Sequence, residues 1–478
     1  MARAGARSGA LVAGSGPAGL AAALMLARGG WARVRLVDKR APPPPPPARE
    51  WAEAPERSYN LGLTDRGQAV LEELGVLEDV RRFAAPVVGR QGWAKDGTPK
   101  ITLKEGRKYC AQCIQRDRLT SVLLEACRRH PAISVEHGAE VGAVHWEADG
   151  PSVTLEAGTA GGAPPGPIRP ALLVGADGCG SAVAEAVAAV GEAEVVNFED
   201  NNVRRYKTLP LDFDLADDPS VWRRDLNLSA RAQAGAQVVL EVLPTAEGKG
   251  VGVVLFRPGN AAIQAADTPE RARKMLEENF PVFKELLSDR ACAAFAAQRD
   301  QKLPGFQYVA NSLVAQRTVL IGDAIHTVKP YFGMGVNSAF EDVSVLQGCL
   351  EDVKNPEVAG GEELDAALQA FSDKHKKNAK ALVTMQRSFD GKGPVGFLTF
   401  VLPIILDTLF NKLIPSVFSP NGIQMLQRAD LTFEAIARIK RRDRALQVLT
   451  LTTLCAALAR AIAWLAKRAL GVWVHGAT

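Results

Sequence analysis

The sequence predicts an α/β fold: a doubly wound, Rossmann-like sheet built from discontinuous segments, an interleaved antiparallel-sheet domain and a C-terminal helical tail. Three observations predict it. A short apolar run, Ser8 to Ala13, passes directly into Gly14-Ser15-Gly16-Pro17-Ala18-Gly19 and then into an apolar helical stretch, Leu20 to Arg28. Far down the chain a second apolar run, Thr318 to Ile321, ends at Gly322-Asp323 and leads through a glycine-containing loop to another helix. Between them, Arg204 to Pro258 is strand-rich, with β-branched or alternating apolar positions in Tyr206 to Phe213, Gln237 to Val242 and Val251 to Phe256.

Bulk properties narrow the class. A chain of 478 residues, 47% apolar, has room for more than one core-bearing unit. The net charge is only +4 and the basic residues are dispersed, which argues against a nucleic-acid partner. Seven scattered cysteines, an odd number, suit reduced thiols inside a cell. Cys110-x-x-Cys113 has no second pair at ligand spacing and reads as two strand cysteines rather than a zinc or redox site. The six histidines are dispersed, and neither a metal cluster nor a Ser-His-Asp set is evident. Seven residues precede the first strand, too few for a secretory leader.

The first strand, the glycine loop and the following helix form the dinucleotide fingerprint once the second strand, Val34 to Val37, is seen to end at Asp38, about 20 residues on. The first two glycines allow a tight turn and close approach of a pyrophosphate. The third lets helix and strand pack closely. Asp38 can bind both ribose hydroxyls. Pro42 to Pro47 is an unbroken proline run that excludes helix and central strand, so an exposed polyproline surface loop is expected. Arg57-Ser58-Tyr59-Asn60-Leu61-Gly62-Leu63 follows, then Thr64-Asp65-Arg66-Gly67 and an amphipathic helix, Ala69 to Leu74.

Gln115-Arg116-Asp117-Arg118-Leu119 starts a helix that runs to Cys127. Ser134 to His137, a strand from Val141, Val153 to Leu155 and Ala171 to Val174 are expected to form a small sheet. Gly175-Ala176-Asp177-Gly178-Cys179-Gly180-Ser181 comes next. Thr268-Pro269-Glu270 opens a helix expected to reach Leu287. After Gly322-Asp323 come His326, Pro330, Phe332-Gly333, Gly335, Asn337 and Glu341-Asp342, with Phe340, Val343 and Leu346 at helical spacing. A carboxylate at a strand end can accept hydrogen bonds from a polyol chain. Glycines let backbone approach a flat ring, and the N–H groups opening a helix face negative charge forming on it.

In this order the segments resemble the motifs of the group A flavoprotein aromatic hydroxylases, and within that group they look most like the kynurenine 3-monooxygenases. The resemblance implies FAD, bound without a covalent link, and NADPH used transiently, since the one dinucleotide fingerprint serves the FAD. It implies flavin contacts from Gly14, Gly16, Ala18, Gly19, Val37, Asp38, Lys39, Arg40, Gly62, Arg116, Val141, Asp177, Asp323, Pro330, Gly333, Gly335, Val336 and Asn337. Arg90, in a Gly-Arg pair, matches the family arginine that grips a substrate carboxylate; a solvent-exposed strand arginine is the equally weighted alternative. Lys104 falls where the family has a partner tyrosine. Further departures are Ala184 for an arginine, Met334 for a glutamine and Thr432 for a second tyrosine.

The implied division is 8–199 and 311–390 for the FAD-binding domain, 200–310 for the substrate-domain sheet and 391–478 for a helical tail. Gly391 to Pro420 is apolar but interrupted by Pro403, Asp407, Lys412 and Pro415, and reads as buried helices near the active site. Ala429 to Arg444 reads as a basic amphipathic helix. Leu446 to Ala466 has Arg460 as its one charge and basic flanks on both sides, so it is expected to span a membrane or lie in its interface. The eukaryotic kynurenine enzymes also end in a membrane anchor, which implies an intracellular membrane, with the mitochondrial outer membrane as the candidate. The activity implied is hydroxylation, with O2, of an aromatic substrate carrying a carboxylate. The alternatives are another aromatic acid, a lipophilic phenol, or a membrane-bound flavoprotein reductase or binding protein without hydroxylase chemistry.

Overall fold

The computed structural model describes residues 9–54, 58–94, 97–103, 109–147, 150–157, 166–218, 221–233, 237–353, 361–391 and 393–475, with side chains up to Ala466. A six-stranded sheet runs in the order Val314–Ala315, Thr318–Leu320, Leu172–Gly175, Ala10–Ala13, Val34–Asp38, Ile133–His137. All its pairings are parallel except the first, antiparallel one. The strand Leu172–Gly175 thus lies in the middle of the doubly wound sheet, not in the small sheet expected from the sequence. Its Leu172, Leu173 and Val174 are fully buried, as a central strand covered on both faces requires. Two strands alone, Ala139–Glu147 and Gly150–Ala157, make up what remains of that small sheet. The helix Pro17–Arg28 covers the large sheet with a run of small residues, Ala21, Ala22 and Ala23, none of them exposed.

A seven-stranded sheet is ordered Gln301–Lys302, Arg205–Leu211, Gly250–Phe256, Val239–Pro244, Leu226–Arg231, Gly89–Trp93, Pro99–Leu103. Its last two strands come from well before residue 200, so the substrate sheet borrows them from the segment assigned to the FAD domain. One face packs on an aromatic core in which the Trp93 and Trp222 rings lie 5.0 and 5.4 Å from Phe283. Over that core the helix expected from Thr268 to Leu287 is two pieces, the α-helix Pro269–Asn279 and the 3-10 segment Pro281–Leu286. Pro281 has no N–H to continue the helical ladder. Two three-stranded sheets complete the part that positions the site. One joins Asn60–Leu63, Ala111–Gln115 and Ala85–Val87; the other joins Glu194–Asn197, Gln307–Ala310 and His326–Thr327.

Residues up to Arg387 form one compact unit, and Ser388 onward a second. In the second unit, Gly393–Leu413 is helical throughout, with a wide turn at Phe397–Val401 ahead of Pro403 that accommodates the missing proline N–H. Its apolar side chains are not buried as expected: Phe397 is 49%, Leu398 59%, Ile405 52% and Leu413 67% exposed. The expected basic helix and apolar helix are one continuous helix, Phe433–His475, because nothing between Arg444 and Leu446 breaks the ladder. Leu454, Leu458 and Trp464 are likewise more than half exposed. Buried Asp407 ties the two helices together through Lys440 at 2.8 Å, Arg444 at 3.3 Å and Gln447 at 3.0 Å. Among the described residues, these two helices are long and apolar enough to cross a membrane, each with a mean hydropathy of 1.8 over its best window.

Candidate functional site

The three fingerprint glycines have different physical jobs. Gly14 adopts φ +99°, and a Cβ there would stand 2.4 Å from the Ala176 carbonyl oxygen. A Cβ on Gly19 would meet the Gly14 carbonyl at 1.9 Å. Both are needed for close packing of strand, turn and helix. Gly16 differs: nothing lies within 4 Å of its missing Cβ, which leaves open space in front of the helix N-terminus. Ala18 sits behind the loop, 3.0 Å from where Gly322 would carry a Cβ, so the two motif loops pack on each other.

Val37 is buried in the second strand, and its carbonyl accepts from the Gly14 N–H at 2.8 Å. Asp38 accepts from the Ser15 N–H at 2.7 Å and the Ser15 hydroxyl at 2.9 Å. Arg40 donates to it from its backbone N–H at 2.8 Å and from Nε and Nη2 at 3.1 Å. Burial works against the Asp38 charge, but Arg40 and the Ser15 N–H outweigh it and hold the carboxyl at about 2. Asp38 is therefore ionised and fixed. Lys39 points away to Glu140 at 2.7 Å, so its side chain serves the surface.

A cavity of about 240 Å³ opens beside Ser15 and Arg40, walled by Pro43, Pro44, Trp51 and Ser58. The proline run lies at the surface as expected, with Pro42, Pro45 and Pro47 exposed, but it is tied down. Its carbonyls are taken one after another: Pro44 by the Ser121 hydroxyl at 2.6 Å, Pro45 by Trp51 Nε1 at 2.9 Å, Pro46 by Arg118 Nε at 3.1 Å. Pro46 is buried. A larger cavity of about 420 Å³, lined by Glu270, Arg273 and Asp289, lies at the outer helices and touches none of the motif residues.

The second motif loop is organised by Asn337, which is fully buried. Its Nδ2 donates to the Gly62 carbonyl at 2.8 Å and the Gly333 carbonyl at 2.6 Å, while its Oδ1 accepts from the Thr64 N–H at 2.9 Å. One side chain thus joins the strand Asn60–Leu63 to the turn before the helix Gly335–Leu350. Gly67 makes this possible, since a Cβ there would lie 2.4 Å from Asn337 Oδ1. Gly333 has φ +64° and closes the 3-10 turn Pro330–Phe332. Nothing lies within 4 Å of a Cβ on Gly62, and only Val328, at 4.0 Å, near one on Gly335. Gly62, Gly333, Gly335 and half-buried Val336 therefore border open space that a flat ring could fill.

Asp323 is exposed, and its carboxylate has no hydrogen-bond partner among the described residues. Desolvation raises its pKa, against the lowering pull of His326 and Arg116. Arg116 begins the helix Arg116–Arg129; its guanidinium lies 6.0 Å from the Tyr59 ring, and its N–H donates to the Tyr59 carbonyl at 3.0 Å. Asp177 instead turns inward and caps the helix Ala182–Ala189, accepting from Ser181 Oγ and, at 3.3 Å, from the Val183 N–H. Val141 is a buried strand residue. Arg57 and Lys104 lie outside the described residues.

The donor set fits FAD: a fixed ionised carboxylate for ribose, an open glycine at a helix N-terminus for pyrophosphate, an open carboxylate for a polyol, and a cradle bare of Cβ atoms for a ring. The family model described as FAD binding domain matches residues 7–386. The chain belongs to this FAD-binding family. It is an FAD-dependent monooxygenase. Relatives named kynurenine 3-monooxygenase include that of Salinispora tropica, 28% identical over 97% of this chain and 98% of its own length, and that of Stenotrophomonas maltophilia, 28% identical over 86% and 85%. That of Caenorhabditis elegans is 24% identical over 95% and 96%. Among solved structures, tetrameric 2-methyl-3-hydroxypyridine-5-carboxylic acid oxygenase superposes with a TM-score of 0.61 at 21% identity, covering 83% of this chain and 96% of its own. PqsL of P. aeruginosa in complex with 2-aminobenzoylacetate gives 0.59 at 22%, covering 80% and 96%. These two share the fold.

Behind the flavin loop of this FAD protein lies a cluster the sequence did not suggest, because its members are far apart in the chain. The Asp342 carboxylate accepts from the Gly322 N–H at 2.7 Å and lies 2.9 Å from His326 Nε2 and 2.5 Å from His375 Nε2. All three side chains are buried. The separations are those of hydrogen bonds. Burial alone would protonate Asp342, but the two imidazoles reverse this and hold it at about 2. Burial alone would strip His326, but Asp342 raises its pKa above the ordinary value. His326 thus plays a structural part. Beside the cluster, Arg66 pairs with Glu341, and buried Lys329 reaches Asp200 and the Asn202 carbonyl, each at 2.8 Å.

Arg90 lies on the substrate sheet, 55% exposed, and binds Glu241. The sequence offered no signal for Glu241, because strand register alone brings it there. Tyr59 was in a quoted motif, but its edge-on contact with Tyr206, at 6.4 Å, follows only from the fold.

Two outcomes are expected. Asn337→Ala removes a buried amide and orphans its partners, at about 1–3 kcal/mol each. It should fold yet bind FAD at least about tenfold more weakly in equilibrium dialysis. Unchanged affinity would show that the loop holds itself. The second outcome concerns pH. Depressed Asp342 contributes stability above its unfolded value, about 4, which is lost as pH falls toward about 2. Raised His326 contributes below its unfolded value, about 6.5, and loses this as pH rises through its folded value. The cluster therefore stabilises most between about pH 4 and 6.5. Asp342→Asn should flatten the melting temperature's pH profile and lower stability by about 3–5 kcal/mol. A parental profile would show that the three groups are not coupled.

Proposed function

We propose that this monooxygenase consumes NADPH and O2 to hydroxylate an aromatic substrate that carries a carboxylate, with kynurenine the leading candidate. The observation that carries the reading is Asp323, an exposed carboxylate without a hydrogen-bond partner among the described residues, in a chain whose curated relatives bear the name kynurenine 3-monooxygenase over nearly their full length. FAD, when bound, supplies the redox and oxygen chemistry. The chain supplies placement. Asp38 takes the ribose, the open face at Gly16 the pyrophosphate, and Asp323 the ribityl chain. The N–H groups opening the helix Gly335–Leu350 would favour negative charge on a ring held there. Arg90 and, by position, Lys104 are the groups for the substrate carboxylate. No second dinucleotide fingerprint is present in the sequence, so the nicotinamide is used in passing.

The tail helices hold the protein to an intracellular membrane. Two exposed apolar helices and the basic run Lys440, Arg441, Arg442 and Arg444 support this.

In the holoenzyme, kynurenine should stimulate NADPH oxidation with formation of an oxygenated product. Arg90→Ala should raise its apparent Michaelis constant about tenfold or more, the loss of a charge-assisted bond worth about 1.5–3 kcal/mol. Flavin reduced by neither NADPH nor NADH in stopped flow would sink the monooxygenase reading. An unaffected Arg90→Ala would sink only the carboxylate's placement.

For the tail, removal of residues from Arg444 onward should weaken sedimentation with membranes. Loss of Gly393–Leu413 as well should be needed for full release, because that helix is exposed too. Full-length protein soluble without detergent would refute the anchor.

A further inference from the structure

Two stretches of chain, 198–204 and 303–306, cross between the small sheet that carries His326–Thr327 and the seven-stranded substrate sheet. The first leaves the strand Glu194–Asn197 and enters Arg205–Leu211; the second leaves Gln301–Lys302 and enters Gln307–Ala310. They run side by side, for the Phe198 N–H donates to the Phe306 carbonyl and the Leu303 N–H to the Arg204 carbonyl, each at 3.0 Å. The flavin loop starts at the same place, since His326–Thr327 pairs with Gln307–Ala310 and runs on through Val328 to Lys329. Lys329 is fully buried, at 0% exposure. Its ammonium donates to Asp200 Oδ1 and to the Asn202 carbonyl, each at 2.8 Å, and lies 5.4 Å from the centre of the Phe306 ring. Asp200 Oδ1 also accepts from the Asn202 N–H at 3.1 Å, which holds the carboxylate on its own turn. A cation of the flavin loop is thus seated on one crossing and against the other.

Lysine is almost never fully buried unless paired, and a buried ion pair seldom adds net stability over apolar side chains of the same size, because both charges lose their water. Net stability therefore does not explain Lys329, but direction does. Two acceptors at hydrogen-bond distance fix the ammonium. The next residue, Pro330, has a ring-locked φ, so the path on which the loop leaves is set. The turn Pro330–Phe332 follows and closes at Gly333, whose carbonyl accepts from Asn337. The loop is pinned at both ends. Asn337 ties its far end to Gly62, in the strand Asn60–Leu63. Lys329 ties its near end to a crossing that runs directly into the substrate-sheet strand Arg205–Leu211.

We propose that Lys329 is a positioning residue for the flavin ring, with Asp200 as its counterpart. It acts through the loop 329–335, which it locks to the crossing at Asp200 and Asn202, and so sets the place of the ring relative to the substrate sheet. Neither side chain has to touch the cofactor. Such a lock matters in a monooxygenase because transfer between two held reactants depends on their separation and alignment, and a misplacement of about 1 Å is enough to cost about a hundredfold in rate.

The test uses the full-length protein, FAD as the probe, and three variants: Lys329→Met, which keeps a long side chain without the charge, Asp200→Asn, and the two combined. Affinity is read by equilibrium dialysis, and ring mobility from the fluorescence anisotropy of the bound flavin. A loop left in place in about one molecule in ten binds FAD about tenfold more weakly. Each single variant should show that loss together with a lower anisotropy. The double variant should lose no more than the larger single loss, because both changes remove the same bond. Asp200 lies in no flavin motif, so an effect of Asp200→Asn on the ring separates the tie from local damage to the loop. Each single change removes one charge of a buried pair; if either variant fails to fold, the double variant, which removes both, decides alone. A double variant with parental affinity and anisotropy would overturn the proposal, whatever its melting temperature, since a merely structural pair would move only the latter. Losses that multiply in the double variant would overturn it too, by showing that the two residues act separately.

Discussion

One buried amide joins the second motif loop to the strand Asn60–Leu63. Asn337 uses both hydrogens and its oxygen on three backbone groups that come from two distant stretches of chain. An amide suits this because it offers donors and an acceptor from one rigid plane. Aspartate could not donate, and glutamine would place the same plane one methylene too far out. The arrangement imposes a second requirement. Gly67 must have no side chain, since any Cβ would displace the amide oxygen. The glycine of the Arg66-Gly67 helix start is therefore a packing partner of the flavin loop, although no cofactor atom need touch it.

Charge is handled in the same region by pairing everything that is not meant to bind. Asp342 is bound by two imidazoles and a backbone N–H, Glu341 pairs with Arg66 through one oxygen, and Lys329 pairs with Asp200. Of the motif carboxylates, Asp38 is held by Arg40 and Ser15, and Asp177 by a helix N-terminus. Asp323 alone is exposed without such a partner among the described residues. The contrast has a physical basis. Because Asp342 fixes the Gly322 N–H from behind, the next residue is held at a defined angle while its own carboxylate stays available.

The parts of the fold written as local pattern were legible. Gly14, Gly16 and Gly19 form a short-range code: close packing requires Gly14 and Gly19, and nothing lies near the missing Cβ of Gly16. Parts decided by long-range pairing were not. Leu172–Gly175 carries a uniformly apolar sequence that suits either a minor or a central strand, and only its parallel pairing with Ala10–Ala13 distinguishes them. Gly89–Trp93 joins the substrate sheet by pairing with a strand far along the chain. The proline run was read as an exposed loop because it can be neither helix nor central strand, and Pro42, Pro45 and Pro47 are exposed. Its acceptors were overlooked, and those carbonyls are what Ser121, Trp51 and Arg118 bind. Gly391 to Pro420 was read as buried because prolines and charges interrupt it. A wide turn absorbs Pro403, and Asp407 finds its cations on the neighbouring helix, so the apolar side chains are free to face outward.

Arg90 shows why a residue's type and position do not settle what it does. From sequence it was either a carboxylate clamp or a solvent-facing strand residue, and the structure gives it features of both: more than half exposed, yet held by Glu241. A lone guanidinium on an apolar wall would bind many anions. With a carboxylate on one nitrogen and a hydroxyl behind that carboxylate, the same guanidinium carries no net charge to offer, and a second anion gains from it only what geometry allows.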